Sequence, residues 1–183
     1  LRVCIQSEQA AQALKKPCGT YITLKTGQLS ELVSLEKVCN CLVEQLRPFL
    51  APYFGKALCI CGIGNGDLPA DALGPETAKR IRPHMYEAMS VQSNFSKIAV
   101  ICPGVLGYTN LATETIIAGI ASEMNAACVL TVDSCVAKES ERLCSCIQLS
   151  DTGMDSYLGT ANLRRSSVGI PVVSIAVPTA IQM

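Results

Sequence analysis

Residues 57–75 read ALCICGIGNGDLPADALGP. The first seven residues are continuously apolar and too short for a helix, the pattern of a strand buried on both faces. Glycines at 62, 64 and 66 then mark a tight loop. A helix is expected from Asp71 to about Met89, with Pro75 near its first turn, where the missing N–H does no harm, and Pro83 kinking or ending it. Strand, tight loop and helix form the repeating unit of an α/β fold.

Further units follow. Lys97–Cys102 (KIAVIC) is a second buried strand, trailed by Pro103-Gly104, and Thr113–Met124 reads as a helix. Ala127–Val132 (ACVLTV) is a third strand that runs directly into Asp133. Cys144–Leu149 and Pro171–Val177 read as two more strands. Upstream, Tyr21–Lys25 alternates as a strand does. Gln28–Phe54 carries apolar residues at spacings of three and four, as a long helix that Pro48 and Pro52 break or end. The expectation is one domain over residues 1–183, a three-layer α/β/α sandwich with a mostly parallel sheet.

Composition narrows the function. The 15 basic and 15 acidic residues cancel, which argues against an electrostatic nucleic-acid binder. Charged residues make up 16% and apolar ones 49%, which argues against disorder. No apolar run reaches the 18 or so residues of a membrane helix, and no signal peptide is visible. Eleven cysteines on a chain of this length, many inside apolar runs, read as reduced, mostly buried filler in a cytoplasmic protein.

In a parallel α/β sheet, ligands and catalytic groups gather beyond the carboxyl ends of the strands. Those ends supply the loop with Gly64, Asn65 and Asp71; the loop with Pro103, Gly104, Gly107 and Thr109; Asp133; and Asp151 in SDTG. Asp71 and Asp133 can face one crevice if their strands are near neighbours. Two carboxylates held close cannot both ionise cheaply, so such a pair offers a base for water and an acid for a leaving amine. Each Asp could instead cap the helix after it, and Asp151 could shape the crevice or turn the chain.

Other chemistries fit less well. GIGNGD lacks the third glycine of a dinucleotide loop. Three C-x-C pairs occur without a C-x-x-C, and the single His84 cannot make H-E-x-x-H. No G-x-S-x-G elbow exists for a serine nucleophile.

Taken together, GNGDLPADALGP (64–75), PGVLGYT (103–109), VDSCVAKESERL (132–143), IQLSDTG (147–153) and GIPVVSIAVPT (169–179) resemble, in order and spacing, the germination proteases of spore-forming bacteria. The resemblance covers about residues 17–179. It implies a fold like that of the hydrogenase maturation proteases, whose GxGNxLxxDxGxG motif parallels GIGNGDLPADALG. It implies an atypical aspartic-type endopeptidase, with the family's catalytic aspartates falling on Asp71 and Asp133. Implied too are small acid-soluble spore proteins as substrate, the spore core as location, no cofactor or metal, no direct contact with nucleic acid or membrane, and a possible homo-oligomer. The family's extreme N- and C-terminal segments are expected to be missing. Departures from its pattern are Ala112 where an acid is expected, Lys138 for an arginine, and DSYLGTAN (155–162) in place of a glycine-rich loop. These leave room for an inactive or zymogen-like relative that binds a partner protein. A metal-dependent hydrolase with the aspartates as ligands is a further alternative.

Overall fold

The computed structural model describes residues 1–29, 34–81, 93–155 and 162–181. Its strands are β1 (Arg2–Ile5), β2 (Gly19–Lys25), β3 (Ala57–Gly62), β4 (Lys97–Ile101), β5 (Ala126–Ala137), β6 (Cys146–Ser150), β7 (Met154–Asp155), β8 (Asn162–Leu163) and β9 (Val172–Ile181). The helices are α1 (Glu8–Leu14), α2 (Leu35–Leu50), α3 (Leu73–Arg80), α4 (Leu106–Thr109), α5 (Thr113–Glu123) and α6 (Arg165–Val168). Seven strands form one sheet in the order β1-β2-β6-β9-β5-β3-β4, and β7 and β8 pair separately.

Strand alternation assigns the core. Leu58 and Ile60 of β3, Leu130 of β5, Leu149 of β6 and Val173 of β9 point to one face and pack against Val38, Leu42, Leu46, Phe49 and Leu50 of α2. Cys59 and Cys61 of β3, Val129 of β5 and Val172 of β9 point to the other, under Ile117 and Ala121 of α5 and Val168 of α6. Helices on both faces of the sheet make the three-layer α/β sandwich. Burying each Leu, Ile or Phe in these layers contributes roughly 1.5–3 kcal/mol.

β4, β3, β5 and β9 are parallel neighbours. β6 runs against β9, β2 against β6, and β1 against β2. Five of the seven strands therefore point one way, and β6 and β1 point the other. From β3 the chain moves out to β4, then returns through α5 to β5 on the far side of β3. The direction of winding reverses between β3 and β5, the place where an open α/β sheet leaves a crevice.

Local details sharpen that crevice. The pairing of β3 with β5 ends at Gly62 and Val132, and Ile63 donates its N–H to Val132 O at 2.8 Å. β5 does not end at Val132 as the sequence suggests; it continues to Ala137, because β9 still pairs with it out to Ile181. Asp133 is thus the first residue of β5 beyond β3. α3 begins against both strands: a Cβ on Gly74 would stand 2.2 Å from Ile63 O and 2.4 Å from Val132 O.

Some expected elements differ. The long helix over 28–54 reduces to α2, with residues 30–33 outside the described set. Pro48 sits inside α2 without ending it, two residues before the last, where it removes only one late hydrogen bond. α3 is shorter than the expected 71–89 and is preceded by a 3-10 turn, Pro69–Asp71. Pro83 and His84 lie outside the described residues. Of the eleven cysteines, only Cys59, Cys61, Cys128 and Cys146 are buried, while Cys4, Cys18, Cys39, Cys41 and Cys102 are exposed. The expectation of mostly buried thiols holds only for central strands; Cys39 and Cys41 ride on α2, whose buried residues are Phe49 and Leu50.

Candidate active site

The turn after β3 is built around Asp71. Gly64 adopts φ +122, and a Cβ there would lie 2.1 Å from Asp71 O and 3.1 Å from its Oδ1. Only glycine lets the backbone come so close with that conformation. Asn65 N–H donates to Asp71 Oδ2 at 2.7 Å, and Asn65 Oδ1 accepts from Asp67 N–H at 2.9 Å. From the other side, Thr179 Oγ1 of β9 donates to Ala70 O at 2.5 Å. The Pro69–Asp71 turn is thereby tied over the ends of β5 and β9.

Asp133 is only 1% exposed, which makes its ionised form costly. Oδ1 accepts the N–H of Ser134 at 2.7 Å, and the buried Oδ2 meets no partner among the described residues. Burial pushes the Asp133 carboxyl up to about 7, against the Ser134 N–H, and the charge of Asp71 adds to the rise. Burial also raises Asp71, with the Asn65 N–H pulling it back down. The two acids are therefore within electrostatic reach, one half-buried and bonded, the other buried and half-satisfied.

The second loop forms the opposite rim. Pro103 is buried beneath it, and Gly104 O accepts from Thr113 Oγ1 at 3.4 Å. Thr109 Oγ1 donates to Val105 O at 3.3 Å and accepts from Leu111 N–H at 3.2 Å, so its hydroxyl serves its own turn. Gly107 is exposed in α4. Tyr108, which the sequence reading passed over, reaches back across the rim: its Oη stands 3.0 Å from Asp67 Oδ2 and 3.3 Å from Asn65 Oδ1. The structure thus brings together Gly64, Asn65, Asp71 and the loop carrying Gly107 and Thr109.

Asp151 does not join them. β6 is antiparallel to β9, so β6 runs away from the level of Asp133: Gln148 pairs with Ala176, as Asp133 does, and Ser150 pairs with Ser174, level with Thr131. There Asp151 Oδ1 accepts the Thr20 N–H at 2.7 Å while its own N–H reaches Thr20 O at 3.3 Å, closing the β2–β6 ladder. The expectation that Asp151 lines the cleft assumed a parallel strand; in the antiparallel β6 its carboxylate is engaged by the Thr20 N–H of β2.

The cysteines contribute no clear chemistry. Burial holds the Cys128 and Cys135 thiols up at about 12, far from the thiolate a nucleophile or ligand needs. Among the described residues, no three His, Cys, Asp or Glu side chains converge as a metal site would require.

The fold and this site define an α/β domain with two carboxyls set at the crossover of its parallel strands, one of them buried and pushed up to about 7. The germination protease family profile matches residues 1–183, and the chain belongs to that family. It is 32% identical to a germination protease of Caldanaerobacter subterraneus subsp. tengcongensis, over 98% of this chain and 59% of that protein. It is 31% identical to one from Priestia megaterium, over 96% of this chain and 51% of that protein. The chain therefore spans little more than half the length of these relatives. Among solved structures, a NiFe hydrogenase maturation protease, HycI of Thermococcus kodakarensis KOD1, is similar at TM-score 0.46 and 18% identity, over 73% of this chain and 80% of that one.

Proposed function

We propose that this domain hydrolyses peptide bonds with Asp71 and Asp133 as an acid–base pair. The observation that carries the reading is Asp133: a carboxyl buried at a strand crossover, with Oδ2 unpartnered and its proton retained up to about pH 7 beside a second acid. Buried polar atoms are normally satisfied, and an exception at a crevice is where a water or substrate atom belongs.

The step follows from the difference between the two groups. Ionised Asp71 takes a proton from water, and the oxygen attacks the carbonyl carbon of an extended substrate. Asp133 gives its proton to the amide nitrogen as the C–N bond breaks, leaving a carboxylic acid and an amine. The pair titrates jointly, so its pH profile belongs to both residues. Loop backbone at Gly64, Asn65, Gly104 and Gly107 borders the path of the substrate chain.

Family membership supports small acid-soluble spore proteins as substrate and the spore core of a spore-forming bacterium as the place of action. No helix among the described residues is long and apolar enough to cross a membrane. A homo-oligomer is the assembly we propose. The deciding experiment incubates the purified chain with a small acid-soluble spore protein, beside Asp71→Asn and beside a chelator. Cleavage by the wild type alone, unaffected by chelation, supports the reading. Chelator-sensitive cleavage would instead favour a metal-dependent hydrolase, and an inert wild type a partner-binding relative.

A further inference from the structure

Tyr108 is 63% exposed, so little packing holds its ring where it is. What holds it is its hydroxyl, 3.0 Å from Asp67 Oδ2 and 3.3 Å from Asn65 Oδ1. A phenol has one proton to give, and the shorter contact to a carboxylate is the stronger. The residue beneath this contact matters to the chemistry. Asn65 uses its side-chain oxygen to receive Asp67 N–H and its backbone N–H to hold Asp71 Oδ2. A chain of bonds therefore runs from the α4 rim, through the 65–67 turn, to the Asp71 carboxyl.

We propose that Tyr108 is a positioning residue for the hydrolysis assigned above: it latches α4 onto the turn after β3 and, through Asn65, fixes the Asp71 carboxyl opposite Asp133. The proposal rests on the peptidase reading for its kinetic consequence, but the latch itself does not depend on that reading. Among the described residues, Asp133 of β5 is in electrostatic reach of Asp71, and Asp67 lies on the rim with the Tyr108 hydroxyl on its carboxylate. Glu76 of α3 is occupied by Lys79 and Arg80, and β9 meets the turn through the uncharged Thr179.

Tyr108→Phe removes only the hydroxyl. Loss of one such bond is worth about 3- to 10-fold. The expected result is a fall in kcat of that size, with KM within about twofold and no change in melting temperature beyond a degree or so. Asp67→Ala should reproduce this loss, and the double variant should be no worse than either single one. Asp67→Asn retains an oxygen acceptor and should restore most of the activity. The amide proton resonance of Asn65 should move in Tyr108→Phe and in Asp67→Ala, because its bond to Asp71 is no longer held at the same angle. Unchanged kcat together with an unmoved Asn65 resonance in Tyr108→Phe would overturn the proposal, as would losses that add in the double variant. If the wild type cleaves nothing, the peptidase reading fails, and the Asn65 resonance still decides the latch: movement supports it and constancy overturns it.

Discussion

Asp71 and Asp133 hold like groups in unlike surroundings: Asp71 Oδ2 is bonded to the Asn65 N–H on a half-buried turn, whereas Asp133 Oδ2 is buried on β5 without a partner among the described residues. Proximity raises the cost of ionising both, and burial decides which keeps the proton. Replacing either acid by Asn should lower kcat/KM toward a spore-protein substrate by about 10²- to 10⁴-fold. Circular dichroism should show the fold intact in both variants. Full activity in either would remove the pair from the mechanism.

The same asymmetry sets the pH profile. Asp133 keeps its proton to about pH 7, so kcat/KM should decline as pH rises through that value. On the acid side activity should fall as the pair takes up its second proton, on a limb that burial of Asp71 shifts upward. A profile measured with one fluorogenic peptide from pH 4 to 9 checks both limbs; activity still climbing at pH 9 would contradict the role of Asp133 as acid.

Stability should carry a trace of the same titration. The folded chain holds the Asp133 proton up to about pH 7, while the unfolded chain releases it near the ordinary 3.8. Folding therefore takes up a proton in that window, and stability contributed by the protonated group is lost as pH rises through it. Asp133→Asn removes the burden of a buried charge. At pH 8 it should be more stable than the wild type by on the order of 2 kcal/mol, or about 4–8 °C in Tm. The gap should close below about pH 4, which thermal melts across pH would show.

Gly64 is the most constrained position of the site loop. A methyl group there meets Asp71 O at 2.1 Å in a conformation that L residues rarely adopt. Gly64→Ala should cost about 2–3 kcal/mol of stability and lower kcat by 10-fold or more, because the turn must move and Asp71 moves with it. Chemical denaturation and kinetics on the same sample separate the two effects.

Asp151 should behave differently. Asp151→Ala loses the bond to Thr20 N–H and should cost about 1 kcal/mol, while kcat/KM stays within about twofold. A large activity loss without destabilisation would return Asp151 to the cleft.

How much of this was legible in the sequence depends on the kind of information each feature needs. The central strands were readable because burial on both faces leaves an unbroken apolar run, as in ALCICG and CVLTV. The positions of Asp71 and Asp133 beyond their strands were readable, because Asp133 directly follows one apolar run and Asp71 follows another by a glycine-marked loop. The direction of β6 was not, since CIQLS has the same pattern whichever way it lies, and neither was the bond from Thr20 that engages Asp151. The partners Tyr108 and Thr179 were hidden for another reason: each acts across 41 to 109 residues of chain, and no local spacing encodes such a meeting. A tyrosine in an otherwise small-residue loop was the one available hint. The length of β5 beyond Val132 was likewise set by β9, a partner only the folded sheet supplies.

The reversed β6 has one more consequence. Because β6 runs away from the level of Asp133, recognisability and the proposed chemistry are uncoupled along this chain: SDTG helps carry the family resemblance, yet Asp151 spends its carboxylate on the Thr20 N–H of β2. Variation at 151–153 should then register in melting curves and be silent in turnover, whereas variation near 64–71 or 133 should register in turnover first. A substitution map scored by both assays would draw an equator across the sheet.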